Sequence, residues 1–465
     1  MLSAEENEIL TRTGPGTPMG ELLRRFWLPA LLPDELPASD CAPVRVRLLS
    51  EDLVAFRDTD GRLGLINAYC AHRRANLFFG RNEECGIRCI YHGWKYDVDG
   101  NCVDLPTEPP ESGFKDKVKL TSYPLREHGG ILWAYLGPKQ NIPQLPKLTF
   151  TQVPSGYRFV MKRFQECNYA QALEGGIDSA HTSYLHTTLD FYRRTESYLE
   201  KAKALRARFE KDPENLKPED LDFLFRTLDK APRVMAKNTD YGLMVAAQRN
   251  LGDQYYWRFN QFLLPFYTMP PRSPGGHAFV PIDDGRCWVW TFGCKLDRPY
   301  TVDEILGMKR GTVSGPFGAE VDDNYYPLHN KSNDFLIDRA VQRSYNFTGI
   351  VGTGNQDMAA QVCMGPITDR TKEQLGVTDV GIIEMRRLLL NSAKDLCEGR
   401  EPTAAHNTDA FSGVQGVSLV RRSNISLDEC VNDAFGSFDK TRQRTQALRQ
   451  SIESNNTPQL AASTM

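Results

Sequence analysis

The sequence predicts an α+β fold in two domains, an all-β domain followed by a larger α+β domain. The chain has 465 residues, more than one small core accommodates. From about Val44 to Leu136, short β-branched and aromatic runs are broken by Gly, Asp and Asn, a pattern typical of an all-β domain. Beyond it, strand-like runs precede helical patterns without regular alternation, which indicates an α+β domain.

Composition suggests where the domains begin and end. We expect a helical or extended N-terminal segment over 1–40, the all-β domain over 41–150, the α+β domain over 151–450 and a polar, disordered tail over 451–465. The segment from Pro138 to Pro154 contains further prolines and is predicted to link the two domains.

Individual elements follow from local patterns. Strands are predicted over 44–49, 130–137, 242–247, 255–259 and 287–292, with a turn at 97–100. A helical pattern weakened by Gly175-Gly176 runs from Phe164 to Leu189, and a helix from about Asp379 to Cys397 ends at Gly399. The charged segment 198–230 is predicted to be a solvated insertion with an amphipathic helix around Leu221, Phe223, Leu224 and Leu228.

The overall charge excludes some classes of partner. With 56 basic and 59 acidic residues the net charge is −3, so neither a nucleic acid nor an anionic membrane is indicated. The N-terminus lacks the apolar stretch of a secretory signal and no segment is apolar for long enough to span a bilayer, so we expect a soluble cytoplasmic protein. Eleven cysteines, an odd number, fit free thiols and metal ligands better than a disulfide framework.

A first pair of motifs suggests an iron–sulfur cluster. Each half supplies one thiolate and one imidazole, and sixteen residues separate the halves, which read Cys70-Ala-His72 and Cys89-Ile-Tyr-His92. Replacing two thiolates on one iron by neutral imidazoles raises the reduction potential of a [2Fe-2S] cluster. Zinc is the alternative, but zinc fingers normally place both cysteines in one half, so the alternation favours iron–sulfur. Cys85 and Cys102 lie nearby without a histidine two or three residues on.

A second motif, Asp178-Ser-Ala-His181 with His186 beyond it, suggests a mononuclear metal site. Asp178 and His181 are neighbours on one helical face, whereas His186 lies about 140° round an ideal helix, which predicts a break near Thr182-Ser183. Two histidines and one carboxylate form the facial arrangement of non-haem Fe(II) oxygenases. Asp357 is the preferred carboxylate, and spacing leaves three rivals open: Asp334, Asp338 and Asp369. A satisfied polar network is the alternative reading of this motif.

With both motifs, the chain resembles over nearly its full length the catalytic α subunit of a Rieske non-haem iron ring-hydroxylating oxygenase. It is most similar to the phthalate dioxygenase branch in the strings at 14–25, 91–96, 261–267 and 364–371. It departs from relatives at Arg74, where many have Gly, and near Val362-Cys363, where many have Glu.

The resemblance implies a Rieske-type [2Fe-2S] cluster, a mononuclear Fe(II) and a catalytic domain with a central antiparallel sheet. It also implies that Asp178 bridges a neighbouring subunit's cluster to the iron, within a homotrimer or a hexamer of stacked trimers. The implied ligands are Cys70, His72, Cys89 and His92 for the cluster and His181, His186 and Asp357 for the iron.

The same resemblance implies an aromatic acid substrate that is cis-dihydroxylated with O2, the alternative being O-demethylation or hydroxylation of a methoxylated aryl acid. Ser179 and Arg249 are candidates for binding the substrate carboxylate. No strand-GxGxxG-helix fingerprint occurs, so a separate NAD(P)H-dependent flavin/iron–sulfur reductase is expected. Its docking rim is predicted at Arg73, Arg74, Arg81 and Lys95. An electron-transfer protein and a zinc-stabilised binding protein are the readings from other classes.

Overall fold

The computed structural model describes residues 1–193, 195–211, 220, 229–250, 252–271, 274–310 and 319–456. Its helices are α1 Ala4–Thr11, α2 Pro18–Leu23, α3 Tyr169–Ile177, α4 Leu189–Arg193, α5 Glu196–Lys211, α6 Val302–Arg310, α7 Arg339–Ser344, α8 Thr353–Val362, α9 Val380–Cys397, α10 Thr403–His406 and α11 Leu427–Asn456. Its strands are β1 Leu28–Leu31, β2 Val44–Leu48, β3 Glu51–Arg57, β4 Leu63–Asn67, β5 Arg81–Glu83, β6 Gly86–Arg88, β7 Lys95–Tyr96, β8 Cys102–Asp104, β9 Leu125–His128, β10 Ile131–Ala134, β11 Arg158–Gln165, β12 Arg233–Thr239, β13 Gly242–Asn250, β14 Gln254–Leu263, β15 Tyr267–Met269, β16 Gly275–Asp283, β17 Arg286–Cys294 and β18 Val417–Arg422.

Three small antiparallel sheets build the N-terminal domain. Their strand orders are β1-β10-β9, β2-β3-β4 and β5-β6-β7-β8. The predicted turn at 97–100 connects β7 to β8, and Gly100 adopts the positive φ of 79° that favours glycine. A small core around Val54, Phe56 and Ile87 includes Cys70 and Cys89.

The N-terminal segment belongs to both domains. Helix α1 begins with a capping box between Ser3 and Glu6, which satisfies the first free N–H groups of the helix. Asn168 donates to the carbonyl of Thr11 at 2.9 Å, and this bond ties α1 to the start of α3. Strand β1 pairs with β10 of the small domain. The segment 1–40 therefore holds the two parts of the chain together.

An antiparallel sheet forms the centre of the second domain, which confirms the predicted α+β class. Its order is β11-β17-β16-β15-β14-β13-β12, and β18 pairs with β14. Eight consecutive residues of β14, Tyr256 to Leu263, are buried, because neighbouring strands flank β14 on both edges and α3 packs against it. The predicted strands and the helix α9 are confirmed, and Gly399 has a φ of 85° just past the end of α9.

The helix expected from Phe164 to Leu189 is wrong at both ends. Phe164 belongs to β11, Asn168 caps α3, and the helix ends at Ile177. Two glycines in its last turn, Gly175 and Gly176, allow α3 to lie close to the sheet. A Cβ on Gly176 would meet Thr268 Oγ1 at 2.7 Å, and one on Gly175 would collide with Gln361.

The structure differs from the predicted linker and from the predicted start of the tail. Within 138–154, Leu148, Phe150 and Val153 are buried, because a short 3-10 turn over Thr149–Gln152 packs on α11 and β17. Helix α11 continues to Asn456, past the expected start of the tail at residue 451. Residues 457–465, and the predicted helix positions Leu221, Phe223, Leu224 and Leu228, lie outside the described residues.

A search of the described helices for one long and apolar enough to cross a bilayer finds none.

Candidate metal centres and active site

Two loops of the small domain bring the first pair of motifs together. Cys70 and Cys89 keep 1% and 3% of their surface exposed, and both belong to the same small core. His72 is exposed and His92 half-buried, with ring centroids 4.4 Å apart. Thiols point inward and imidazoles outward, the arrangement in which a cluster is shielded on its sulfur side and reached through its histidines.

Polar and aromatic neighbours support this site. The hydroxyl of Tyr96 accepts from the backbone N–H of Ala71 at 3.2 Å and can donate to Cys70 Sγ, also at 3.2 Å. Hydrogen bonds to cluster sulfurs raise the reduction potential. The Trp94 ring stacks on His72 with centroids 4.5 Å apart, so it covers one face of that imidazole.

Arg74 holds a strained backbone conformation. Its φ of 62° lies in the left-handed region, which costs a non-glycine residue roughly 1–2 kcal/mol. Its guanidinium lies 4.8 Å from the ring centre of Tyr69, and its N–H donates to the carbonyl of Cys70 at 3.0 Å.

The predicted docking rim is only partly available. Lys95 is 8% exposed and pairs with Glu84 at 3.0 Å, so it does not offer a free charge and that part of the prediction is wrong. Arg81 pairs with Glu83 at 2.7 Å. Arg73, by contrast, is exposed and lies 5.6 Å from the Tyr91 ring centre.

Asp178 ends α3 rather than lying inside it. Its backbone is extended, and its carboxylate accepts from the N–H groups of Ala180 at 2.7 Å and His181 at 3.2 Å, an Asx turn. Its Oδ2 also lies 3.2 Å from His181 Nδ1. The two residues are neighbours because of this turn, not because they share a helical face.

The predicted break near Thr182-Ser183 therefore comes earlier, at Asp178. A 3-10 turn over His181–Ser183 follows, and it swings His186 back toward His181. The two imidazoles lie with ring centroids 5.1 Å apart at 82°.

Helix α8 brings Asp357 to the two histidines. Asp357 Oδ1 lies 3.2 Å from His186 Nε2 and 3.6 Å from His181 Nε2, and one ligand atom from each of the three residues lies within 4.8 Å of the others. Two imidazoles and a carboxylate at this spacing fit a ferrous ion.

The rival carboxylates have other partners or positions. Asp338 caps α7 and Asp369 caps a 3-10 turn, while Asp334 is exposed. The geometry therefore favours Asp357 among the four aspartates considered.

Neighbouring charges and hydrogen bonds shift the pKa values of the candidate iron ligands Asp357 and His181. Burial raises the pKa of Asp357, but the nearby His186 and His181 outweigh it, so that the pKa lies below its ordinary value. Burial lowers the pKa of His181, but the hydrogen bond to Asp178 and the negative charges of Asp178 and Asp357 together outweigh it, so that the pKa is raised. His277, buried and close to Arg163, has a pKa lowered to about 3 and is neutral at ordinary pH.

A buried charge network supports α3 from behind. Glu174 Oε1 accepts from Arg370 Nε at 3.0 Å and from Arg386 Nε at 2.8 Å. Arg386 also makes a bidentate pair with Glu373 at 2.6 and 2.9 Å, and Arg370 Nη1 donates to Asn7 at 3.1 Å. The network joins α1, α3 and α9 one turn before Asp178.

A cavity of about 660 Å³, its open mouth included, opens beside the three candidate iron ligands. Arginines from two strands, Arg163 of β11 and Arg258 of β14, line it, and both are nearly fully buried. The other lining residues are Gly175, Gly176, Asp178, Thr182, Asn260, Pro270, His277, Phe279, Val289, Thr353 and Gln361. The chamber is thus partly apolar and holds two buried arginines beside the three candidate iron ligands.

The two residues predicted to bind substrate lie elsewhere. Arg249 donates through Nη1 to Ser179 Oγ at 3.2 Å and through Nη2 to the Ser179 carbonyl at 2.8 Å. Neither residue is among those that line the cavity. The geometry thus opposes a direct role, because the Arg249 guanidinium is turned onto the backbone of the loop that carries Asp178 and His181.

Sequence reasoning missed Arg163, Arg258 and His277 as cavity residues. In the sequence, Arg163 follows Lys162 and Arg258 lies between aromatic residues, so neither stands out from ordinary strand charges. Their inward position depends on which sheet face α3 and α8 cover. The one available signal is alternation along β14, where Arg258 and Asn260 share a face.

Comparison with known families agrees with these two centres. The Rieske [2Fe-2S] domain family matches residues 26–124, and the family described as LigXa C-terminal domain like matches residues 134–414.

Curated relatives match most of the chain. It is 41% identical to the phthalate 4,5-dioxygenase oxygenase subunit of Pseudomonas putida, over 84% of this chain and 86% of that one. It is 36% identical to the 3-chlorobenzoate-3,4-dioxygenase oxygenase subunit of Comamonas testosteroni, over 85% and 89%. It is 32% identical to the 5,5'-dehydrodivanillate O-demethylase oxygenase subunit of a Sphingobium species, over 91% and 88%.

Solved structures agree in fold. Pseudomonas putida CBB5 NdmA with caffeine superposes with a TM-score of 0.51 at 16% identity, covering 88% of this chain and all of that one.

The fold and the sites together define an iron-dependent oxidoreductase. The chain belongs to the Rieske non-haem iron ring-hydroxylating oxygenase α subunits, within their phthalate dioxygenase-like branch. Its cofactors are a Rieske [2Fe-2S] cluster and a mononuclear Fe(II), and the donor sets described above fit both.

Proposed function

We propose that the chain is the oxygenase component of a multicomponent system that cis-dihydroxylates a carboxylated aromatic compound, phthalate-like or a substituted benzoate. The observation that carries this proposal is the pair of buried arginines, Arg163 and Arg258, in the cavity beside His181, His186 and Asp357.

In this proposal the ligands are the residues named from the sequence. Cys70, His72, Cys89 and His92 hold the cluster, while His181, His186 and Asp357 hold the iron. Iron bound there would take up O2 and, with electrons from the cluster, supply both oxygen atoms of a cis-diol. The protein's own part is to bind the aromatic acid, orient it and keep water away from it.

Electrostatics supports an anionic substrate. Arg163 and Arg258 both line the chamber and are 4% and 5% exposed, so they place two guanidinium groups in a buried setting beside the metal ligands. A substrate carboxylate bound there would form charge-assisted hydrogen bonds, which are stronger than neutral ones. The apolar lining by Phe279, Val289 and Pro270 would then receive the ring.

The alternative product class is supported by one relative. The Sphingobium protein is an O-demethylase oxygenase subunit by name, and its similarity extends over 91% of this chain. Demethylation of a methoxylated aryl acid requires the same cavity and ligands, and it releases formaldehyde instead of forming a cis-diol.

Electron supply is proposed to come from outside the chain. The exposed His72 and its half-buried neighbour His92 give a route to the cluster from a separate NAD(P)H-dependent flavin/iron–sulfur reductase. Asp178, whose side chain remains 20% exposed while bonded to His181, is proposed to carry electrons from the cluster of a neighbouring subunit. This role requires a homotrimer or a hexamer of stacked trimers.

Product analysis tests the proposal. The purified protein is incubated with a matched reductase, NADH and a panel of phthalates, benzoates and methoxybenzoates. A cis-diol from a carboxylated ring is the expected product, and formaldehyde would indicate the alternative.

The Asp357→Ala variant is the matched control for the iron site. It should lose mononuclear iron and product formation but keep the cluster absorbance, because Asp357 lies in another domain from the cluster. If wild-type protein with both metal centres oxidises none of these acids, or if it prefers neutral aromatics, the carboxylate assignment fails.

A further inference from the structure

Gln356 is a buried amide that contacts His186, a proposed iron ligand. It precedes Asp357 in α8 and is 7% exposed. Its Oε1 lies 2.8 Å from His186 Nδ1, and its Nε2 donates to the carbonyl of Ile350 at 2.9 Å.

These two bonds fix the proton on His186. A backbone carbonyl only accepts hydrogen bonds, so the side of the Gln356 amide that faces Ile350 must be its NH2 group. The oxygen therefore faces His186, and because that oxygen only accepts, His186 Nδ1 must carry the hydrogen. Neutral imidazole has one N–H, so the lone pair lies on Nε2, the atom 3.2 Å from Asp357 Oδ1.

The carbonyl of Ile350 is itself held in place. It also accepts from Asn346 Nδ2 at 3.0 Å. Asn346 pairs with Thr188 in an isolated β-bridge, and Phe347 N donates to the Thr187 carbonyl at 3.1 Å. The segment 346–350 thus ties Gln356 to the residues that directly follow His186.

The two histidines have partners of different charge. His181 Nδ1 meets the carboxylate of Asp178, whereas His186 Nδ1 meets the neutral amide of Gln356. An anionic partner increases the basicity of the imidazole it contacts more than a neutral one does.

We propose that Gln356 is a positioning residue of the iron site, one that fixes His186 in the tautomer with its Nε2 lone pair toward the metal and leaves it the weaker of the two imidazole donors. The inference rests on His186 being an iron ligand, as in the proposed function.

Cobalt binding tests this without relying on turnover. The mononuclear site of the full-length protein is emptied with a chelator, and Co(II) binding is measured by equilibrium dialysis and cobalt analysis, with cluster absorbance as the check on folding. Gln356→Met keeps the size of the side chain but removes the acceptor, and it should weaken Co(II) binding about 10- to 100-fold. Gln356→Glu keeps an acceptor for His186 Nδ1 and adds charge but loses the bond to the Ile350 carbonyl, so it should bind Co(II) more tightly than Gln356→Met does.

Asn355→Leu is the matched control. Asn355 is equally buried on the same helix, but its amide donates to the Val351 carbonyl at 2.9 Å and contacts no histidine, so its loss should leave Co(II) affinity unchanged. Equal affinity in Gln356→Met, an equal loss in Asn355→Leu, or a loss in Gln356→Glu as large as in Gln356→Met would each overturn the inference.

The His186→Ala variant distinguishes the ligand assignment of His186 from the positioning role of Gln356. If it leaves Co(II) binding intact, the ligand assignment of the proposed function fails. If it abolishes binding while Gln356→Met does not, only the role of Gln356 is wrong.

Discussion

Replacing Glu174 by Gln should destabilise the catalytic domain strongly although the change is nearly isosteric. Its carboxylate is the shared partner of Arg370 and Arg386, which are 0% and 2% exposed. In the variant, Arg386 keeps its bidentate pair with the carboxylate of Glu373. Of its bonds to Glu174 and Asn7, Arg370 keeps only the one to the neutral amide of Asn7. The variant therefore leaves one buried guanidinium without a counter-charge.

The loss of stability expected in Glu174→Gln is that of one unpaired, buried guanidinium. Removing one partner of a buried ion pair typically costs 3–5 kcal/mol, and one uncompensated guanidinium gives one such term. At about 1.4 kcal/mol per tenfold change, α3 amides that exchange through unfolding of this region should lose roughly 150-fold or more of their protection. Hydrogen–deuterium exchange of the 169–177 peptide measures this directly.

Two further variants test whether the unpaired charge of Arg370 causes the loss of stability. Glu373→Gln leaves both arginines bonded to Glu174 and should cost clearly less. Adding Arg370→Met to Glu174→Gln removes the unpaired charge and should recover part of the loss, a coupling that a double-mutant cycle reports. Equal costs for the two single variants, or no recovery in the double variant, would show that the network does not act through charge.

The same network predicts a pH dependence. Burial raises the pKa of Glu174, but Arg370 and Arg386 outweigh it, so the folded pKa lies below the ordinary 4.5. A lowered carboxyl pKa contributes stability that is present above pH 4.5 and is lost as the pH falls through the folded value. Glu174→Gln should therefore show a smaller loss of stability between neutral and acidic pH than the unaltered chain, and an identical acid profile would contradict this.

Three further predictions concern the two centres and the cavity. Asp178→Asn should keep the [2Fe-2S] cluster and the mononuclear iron but lower turnover roughly 10- to 100-fold, measured as product formation at full metal content. Loss of the mononuclear iron would instead assign Asp178 a structural role. Arg258→Met should lower kcat/KM for an aromatic carboxylate about 10- to 100-fold, because it removes a charge-assisted hydrogen bond worth about 1.5–3 kcal/mol. It should lower kcat/KM for an uncharged amide analogue less, and equal effects on both substrates would count against carboxylate binding. Arg74→Gly should raise the temperature at which the cluster absorbance is lost, because relief of roughly 1–2 kcal/mol of strain at the φ of 62° exceeds the roughly 0.4–1 kcal/mol that glycine costs through the unfolded chain. A lowered temperature would mean that the contact with Tyr69 matters more.

The metal motifs could be read from the sequence because their residues are local. Cys70 and His72, or Asp178 and His181, are close in space whatever the distant packing does, and only the kind of backbone that joins them was misjudged. An Asx turn and a helical turn both place residues three apart side by side, so the spacing alone could not distinguish them.

The cavity could not be read in the same way. Which strand charges face inward is decided by contacts between residues far apart in the chain, such as Asp357 of α8 with His186, 171 residues earlier. Arg249 was a candidate because it lies at the end of a strand-like run, but its guanidinium donates to the side chain and the carbonyl of Ser179. Burial of Arg163 and Arg258 is a property of the assembled sheet.

The glycine pair in the last turn of α3 has a consequence for how this enzyme could be re-engineered. A side chain at Gly176 would meet Thr268 Oγ1 at 2.7 Å and Phe279 at 3.0 Å, whereas at Gly175 only the movable end of Gln361 stands in the way. Acceptance of bulkier or differently shaped rings is therefore best sought at lining side chains that can be trimmed, such as Phe279 and Val289, which are not ligands of the ferrous site.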